Sequence, residues 1–299
     1  DIIKNFKIDC AIVSVPDHLH YNICNYIGTK GIHCLVVKPM CLKTDEAKKL
    51  ISIYKKNKIY GAVEFHKRFD EANLNIKSLI EKNKLGKLQY ASITYSQKKI
   101  ISQTIFKKWS SKSNVFNYLG VHYVDLLKYL TDFTPYELVA FGQKDYLLKK
   151  KINTYDSIQV LIKWLRSDKK SFVSSHISNW IDPNTSTAMS NQYISIIGTK
   201  GRVDSDQKNR GLKFNDENFN HDMNPYFTST IINNNKFNVF GYGIKSIQNF
   251  IENVYNLNNK NISLDYLNKN SASFENCLDT VKIIEAVNKS LISNKKIKI

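Results

Sequence analysis

Two short motifs carry side chains suited to act on a bound ligand. Ser14-Val15-Pro16 is followed by His20, and Lys38-Pro39 follows the apolar residues 34–37. Each motif closes a short apolar run with a proline, which lacks an N–H donor and fixes φ, so a strand must end there. In a doubly wound sheet, ligands bind beyond the carboxyl ends of the strands. We therefore expect both motifs to face one crevice, with His20 in the first turn of a helix.

The chemistry expected of these residues depends on burial. An ammonium that emerges at Lys38 beside an apolar strand is partly desolvated, which favours its neutral form. A neutral amine suits proton transfer, and its protonated form polarises a carbonyl oxygen. The alternatives are that Lys38 is an ordinary surface lysine and that His18 and His20 simply begin a helix.

The elements that must position these motifs follow a strand, helix, strand order. Apolar runs near residues 10–15, 33–37 and 60–65 alternate with helical stretches, which predicts right-handed crossovers and a parallel, Rossmann-like layer. After Asp70 the strands are closely spaced, which predicts an open, mainly antiparallel sheet with helices on one face. The expected fold class is therefore α/β, a partial Rossmann doubly wound parallel sheet followed by an α+β domain. The expected domains are a partial dinucleotide-binding domain over residues 1–68 and a substrate and oligomerisation domain over residues 69–299.

The last third of the chain carries fewer strand signals. Residues 204–235 are rich in Asn and Asp and are predicted to form long loops, which are often functional. Two helices, near residues 244–255 and 273–291, are predicted to close the chain.

The composition narrows the possible partners. The 299 residues carry a net charge of +18, but only four of the 44 basic residues are arginines. Recognition of phosphates and bases favours the bidentate arginine fork, so we expect no specific nucleic-acid partner. The five cysteines form no close pair with metal-ligand spacing, so we expect no metal and a reducing, cytoplasmic setting. No apolar run approaches the ~20 residues of a membrane span, so we expect no membrane partner.

Further motifs follow in a fixed order along the chain. They are Gly31-x-His33 before Lys38-Pro39, Phe65-His-Lys-Arg68-Phe69, Leu85-Gly86-Lys87, Gly120-Val-His122-Tyr-Val-Asp125, Ile197-Gly198-Thr-Lys-Gly201-Arg202 and residues 284–290. Together with Pro16-x-x-x-His20, their order and spacing resemble the Gfo/Idh/MocA family of glucose-fructose oxidoreductases and inositol dehydrogenases. The resemblance covers nearly the whole chain.

The resemblance implies NAD(P)-dependent hydride transfer at a hydroxyl-bearing carbon of a sugar, cyclitol or nucleotide sugar. Lys38 matches the family lysine that touches both substrate and nicotinamide, and His122 matches the histidine that serves in acid/base catalysis. A near-neutral imidazole accepts the proton that alcohol oxidation releases, and an ammonium stabilises the developing alkoxide. The alternative for His122 is a core histidine bonded to a carboxylate.

The remaining candidate residues are assigned to cofactor and substrate. The expected cofactor, NAD or NADP, is placed against Ser14, Val15, Pro16, His20, Lys38, Pro39 and Arg68. The expected carbohydrate-type substrate is placed against Lys38, Tyr118, Asp125 and Trp180, although a loop tryptophan equally often packs a domain interface. The resemblance also implies a homo-oligomer formed through the exposed face of the second sheet.

The chain departs from the family pattern at three places. Val37 stands where the family has a glutamate before Lys-Pro, and Tyr118 stands where an acid often precedes the catalytic histidine by one helical turn. The Gly-x-Gly-x-x-Gly turn that cradles a pyrophosphate is missing, and we expect the sequence to be a fragment that begins after that turn. The alternatives are a non-catalytic sugar-binding or interaction protein of the same fold and a basic polyanion-binding protein.

Overall fold

The computed structural model describes residues 2–218, 220–233 and 236–299. The α-helices are α1 (Ile2–Asn5), α2 (His20–Thr29), α3 (Thr44–Lys56), α4 (Glu71–Glu81), α5 (Val121–Thr131), α6 (Tyr146–Lys149), α7 (Tyr242–Asn258), α8 (Leu264–Asn270) and α9 (Leu278–Ser293). The strands are β1 (Cys10–Val13), β2 (His33–Val37), β3 (Gly61–Glu64), β4 (Leu88–Lys98), β5 (Thr134–Gln143), β6 (Ser157–Leu165), β7 (Ser171–Asp182), β8 (Ser190–Gly198), β9 (Arg202–Asp206), β10 (Leu212–Asn215), β11 (Asn220–Met223), β12 (Ser229–Asn233), β13 (Lys236–Phe240) and β14 (Ile297–Lys298). Within these ranges, no helix is both long and apolar enough to cross a bilayer.

A parallel sheet of three strands, in the order β1-β2-β3, forms the first layer. Its central strand is apolar because both of its faces are covered, as in parallel sheets generally. Cys34 and Val36 pack into the cluster that includes side chains of α2 and α3. Leu35, which points the other way, packs with Phe250 and Val254 of α7. The predicted Rossmann-like layer is therefore confirmed.

The C-terminal segment returns to this first layer. Ala62 of β3 forms an antiparallel bridge with Ser273, and the ring of Phe274 lies 4.7 Å from that of Tyr54 on α3. Near the start of α9, Val281 and Ile284 belong to the apolar cluster that includes Cys34 and Val36. The predicted domain boundary at residue 68 stays a prediction. It assigns this returning segment to the second domain, although the segment packs on the first layer.

The second layer is a sheet of seven strands in the order β14-β5-β6-β7-β4-β8-β9. Only β4 and β7 pair in parallel; the other neighbours are antiparallel. Buried and more exposed residues alternate along β6 and β7, so one face is apolar. That face packs against α5 and α9. The expected α/β class with an open, mainly antiparallel second sheet is confirmed.

The prediction of long loops over residues 204–235 is wrong in part. The structure places the end of β9 and the strands β10, β11 and β12 there, and β10 pairs with β11 and β12 with β13. Every described residue of β10 is exposed, so the strand has no buried face, although Leu212-Lys-Phe-Asn215 alternates apolar and polar residues. The loop prediction at Phe219, Asn234 and Asn235 falls outside the described residues.

Candidate active site

A cavity of about 550 Å³ lies where the ends of β2 and β3 meet α5 and the second sheet. Its walls include Lys38, Tyr118 and His122, three residues that the sequence placed in one site. The lining also includes His66, Gln97, Gln192, Gln207, Asn224, Phe227 and Tyr242. The cavity thus occupies the position beyond the strand ends where doubly wound folds bind ligands.

Lys38 sits at the end of β2 and is held by Tyr118. Its Nζ donates to the Tyr118 carbonyl oxygen at 2.5 Å and lies 3.3 Å from the centroid of the Tyr118 ring. Burial lowers the pKa of Lys38 to about 7, although the carboxylates of Asp17 and Glu64 partly oppose this. The amine therefore exchanges its proton near neutral pH, as expected from the sequence.

His122 projects from the second residue of α5 and is 3 % exposed. Within the described part of the chain, its Nδ1 is buried and has no hydrogen-bond partner. Burial and the neighbouring Lys38, His66 and Lys67 lower the pKa of His122 well below its usual value. The alternative of a core histidine bonded to a carboxylate is not what the structure shows, since the side chain lines the cavity and its Nδ1 has no hydrogen-bond partner among the described residues.

The sequence predicted that His20 faces the crevice, but the structure places it elsewhere. It is fully buried, and its ring nitrogens bond the carbonyl oxygens of Pro39 at 2.6 Å and Val15 at 2.8 Å. The imidazole therefore joins the two proline turns and fixes the position of Lys38 relative to the end of β1. Ser14 is exposed beside these turns, and the Pro16 carbonyl accepts from the Leu19 N–H at 2.9 Å.

Arg68 and Asp125 are not brought into the cavity. They form a buried, two-pronged ion pair, with Arg68 Nε 2.8 Å from Asp125 Oδ2 and Arg68 NH2 2.6 Å from Asp125 Oδ1. Neither side chain is among the residues that line this cavity. The pair instead ties the turn after β3 to α5, on which His122 lies.

Trp180 is likewise outside the cavity lining. Its side chain is fully buried, its Nε1 donates to Gln97 Oε1 at 3.1 Å, and its ring lies 6.0 Å from that of Tyr118. Of the two roles considered for it, the structure shows packing, behind Tyr118.

The sequence did not identify Lys67 as part of this site. Its Nζ donates to Gln192 and Gln207, which line the cavity, and burial lowers its pKa to about 7. Gln207 Nε2 donates to Asp70 at 2.6 Å, and Arg210 pairs with the same carboxylate at 2.8 Å. The sequence signal that could have identified Lys67 was its position, because Lys67 lies shortly after the end of β3 and Lys38 lies directly after the end of β2.

His66 was also missed, although it belongs to the quoted Phe65–Phe69 motif. Its Nδ1 bonds the Glu64 carboxylate at 3.0 Å, and its ring centroid lies 4.7 Å from that of His122. Its ring is flanked by Tyr242 and Phe227. A charged residue at the end of an apolar strand, as Glu64 is, was the sequence signal.

The residues present fit one part of a nicotinamide dinucleotide. The free Nδ1 of His122 and the amine of Lys38 line a cavity beside the two proline turns that His20 joins. This arrangement suits the nicotinamide ring, which is the part that undergoes redox chemistry. The chain has no Gly-x-Gly-x-x-Gly turn to hold the pyrophosphate. The fit is therefore to the reactive end of such a cofactor.

Comparison with protein families gives two matches along the chain. Residues 1–65 match the GFO_IDH_MocA model, described as an oxidoreductase family with an NAD-binding Rossmann fold. Residues 73–204 match the GFO/IDH/MocA C-terminal domain. The first match confirms the predicted cofactor class, NAD or NADP, at the level of the family.

Among curated proteins, inositol 2-dehydrogenase of Rhizobium meliloti (strain 1021) is 21% identical over 199 residues, 66% of this chain and 56% of that protein. The chain thus spans about half the length of this relative. Among solved structures, scyllo-inositol dehydrogenase from Lactobacillus casei, with bound NAD(H) and scyllo-inositol, has a TM-score of 0.73 at 15% identity, covering 99% of this chain and 82% of the other. An inositol dehydrogenase homologue from Azotobacter vinelandii, complexed with NADH and myo-inositol, has a TM-score of 0.77 at 15% identity, covering 98% and 78%. These structures share the fold.

Proposed function

The chain belongs to the Gfo/Idh/MocA family of oxidoreductases, and from that premise we propose that it transfers a hydride between NAD(P) and a hydroxyl-bearing carbon of a cyclitol or sugar. Residues 1–68 serve as the dinucleotide-binding part and residues 69–299 as the substrate and oligomerisation part. The observation that carries the proposal is that Lys38 and His122 line one cavity, each with a pKa shifted downward by burial.

The proposed mechanism divides the proton chemistry between these two side chains. A nicotinamide cofactor bound beside these side chains would supply the hydride acceptor for alcohol oxidation and the hydride donor for reduction. Neutral His122 accepts the hydroxyl proton, because its low pKa keeps the imidazole unprotonated at neutral pH. Lys38, anchored on the Tyr118 carbonyl, donates a hydrogen bond to the substrate oxygen and stabilises the negative charge that develops there.

The lining of the cavity supports a polyhydroxylated substrate. Gln97, Gln192, Gln207 and Asn224 bring amide groups to the cavity, and amides share the paired donor and acceptor character of hydroxyl groups, although the oxygens of Gln192 and Gln207 already accept from Lys67. Tyr118 lies under Lys38 and also touches the cavity, so we keep it as a substrate contact.

The same fold supports a homo-oligomer built on the outer face of the seven-stranded sheet. Five large apolar side chains are exposed on its strands: Tyr90, Phe141, Leu161, Val173 and Ile177. A second copy that covered them would remove this apolar area from water. The cytoplasmic setting expected from the unpaired cysteines stays a prediction.

A sugar-binding protein without catalysis is the second candidate. The observation that favours it is the ring of Tyr118 beneath the Lys38 amine, where many family members carry an acid. The two candidates differ in whether the chain turns over a nicotinamide cofactor.

The test is titration of the full chain with NADH and NADPH by fluorescence, followed by steady-state oxidation of a panel of cyclitols and sugars. We expect saturable binding and turnover, and a fall in kcat of roughly 10²–10⁴ for His122→Asn. Lys38→Ala should weaken both binding and kcat, whereas the control Lys43→Ala, at an exposed site, should change neither. If the chain binds a sugar but neither binds a nucleotide nor turns over, the result would contradict the dehydrogenase proposal and favour the sugar-binding protein.

A further inference from the structure

The site contains a second histidine, His66, whose ring is bonded to a carboxylate, unlike that of His122. His66 Nδ1 bonds the carboxylate oxygens of Glu64 at 3.0 and 3.1 Å, and Ser246 Oγ donates to the same carboxylate at 2.7 Å. The side chains of His66 and Glu64 are 16 % and 13 % exposed, and His66 lines the cavity. The pair therefore joins a cavity-lining imidazole to a carboxylate.

His122, by contrast, is poorly placed to keep a proton. Its charged neighbours are the bases Lys38, His66 and Lys67, and each of them disfavours an imidazolium at His122. A proton taken from a substrate hydroxyl must therefore leave His122 before the next turnover. The ring of His66, tilted 52° and with its centroid at 4.7 Å, is the neighbour backed by a carboxylate.

The position of Glu64 is set by the strand register. Glu64 of β3 pairs with Val37 of β2, the residue before Lys38. Directly opposed residues of adjacent strands point to the same face. The carboxylate therefore lies one strand away from Val37 on the same side of the sheet, close enough to act on Lys38 as well as on His66.

From this arrangement we propose that the Glu64–His66 pair receives the proton that His122 takes from the substrate hydroxyl and passes it to solvent. The inference rests on the proposed dehydrogenase function. The carboxylate of Glu64 holds the single proton of neutral His66 on Nδ1, which leaves Nε2 as the acceptor. The step moves one proton and no electrons, since an N–H bond of His122 breaks and one on His66 Nε2 forms. In the reduction direction the same path supplies a proton.

The acid/base surroundings of His66 come from four parts of the fold. They are Lys38 after β2, Glu64 and Lys67 in and after β3, His122 on α5 and Tyr242 on α7. Glu64 is the only carboxylate bonded to the His66 ring among the described residues. His66 is a positioning and proton-transfer residue that acts through His122.

The test uses His66→Gln, Glu64→Gln and His66→Ala in the full chain. Glu71→Gln is the matched control, because Glu71 also pairs with α7, through Lys245, but lies 54 % exposed. We expect His66→Gln to lower kcat by roughly tenfold or more while KM changes less than about threefold. Added imidazole should restore part of the rate of His66→Ala, more so for bases of higher pKa. Glu64→Gln should lower kcat severalfold, and Glu71→Gln should leave it unchanged.

A readout without turnover separates this inference from the proposed function. Histidine NMR titration should show that His66→Gln raises the pKa of His122, because a neighbouring base is removed. No shift would contradict the contact on which the relay depends. A wild-type kcat in His66→Gln would overturn the relay and leave the dehydrogenase intact. A loss of kcat in His66→Ala that imidazole does not relieve would do the same. A wild-type chain that oxidises no substrate would instead overturn the proposed function.

Discussion

Lys38 should lower the stability of the fold at neutral and acidic pH, and Lys38→Met should relieve this. Burial moves the pKa of Lys38 from 10.5 to about 7. That shift corresponds to about 5 kcal/mol of disfavoured charge, an upper bound because the amine keeps some exposure to the cavity. A neutral isostere carries no such penalty.

The pH dependence follows from the protons bound in each state. Below about pH 7, Lys38 is protonated in both the folded and unfolded chain, so the full penalty is present. Between about pH 7 and 10.5 the unfolded chain binds more protons at this site than the folded one, so stability rises with pH. At about pH 9 roughly 2 kcal/mol of the penalty is left.

The variant also loses the hydrogen bond to the Tyr118 carbonyl and the contact with its ring. These losses reduce the gain at every pH, and the change between two pH values is therefore the sharper quantity. We expect the free energy of unfolding of Lys38→Met to exceed that of wild type by about 3 kcal/mol more at about pH 6 than at about pH 9. Catalysis should be lost at both.

Urea unfolding at the two pH values measures this difference, with Lys43→Met as control because Lys43 is 72% exposed. The control should differ from wild type by the same small amount at both values. A Lys38→Met effect that does not change with pH would refute the assignment of a buried, charge-disfavouring site.

Three further predictions concern the supports of the cavity. Asp125→Asn leaves the Arg68 guanidinium buried and unpaired, and should lower the free energy of unfolding by about 3–5 kcal/mol in urea. The double variant Arg68→Met with Asp125→Leu should recover most of that loss. Equal losses in the single and the double variant would contradict the ion-pair argument. Tyr118→Phe keeps both the carbonyl and the ring face, so kcat/KM should change less than about threefold; a larger loss would assign a role to the hydroxyl. Gly241→Ala should destabilise the fold by about 1–3 kcal/mol, because φ is 114° and a Cβ would lie 2.3 Å from the Phe227 carbonyl oxygen; an unchanged melting temperature would contradict this.

Much of the fold was readable from local sequence. The apolar runs that end at Pro16 and Pro39 fix where two parallel strands stop, because proline cannot continue the ladder. The alternation along β6 and β7 predicts a sheet with one covered face. The hairpins after β9 were missed because their strands are short and mostly exposed, and because the alternation of Leu212-Lys-Phe-Asn215 is too brief to distinguish a strand from a loop.

The candidate site was predicted only in part. Lys38, Tyr118 and His122, which their motifs placed in one site, line one cavity, and their roles stay predictions. His20 was expected at the crevice, but it bonds two backbone carbonyls instead, and no local pattern distinguishes a free histidine from one that is bonded in this way.

The sequence by itself determined the order of strands β1 to β8, the strand end that carries Lys38, and the family. The tertiary structure alone decided which charges meet. Arg68 finds Asp125 at a separation of 57 residues, and Arg210 finds Asp70 at 140. Such pairings depend on how helices and sheets pack over long range, whereas propensity and periodicity act within a few turns. Whether a buried ionisable group is paired, or free to act on a ligand, is therefore settled by packing.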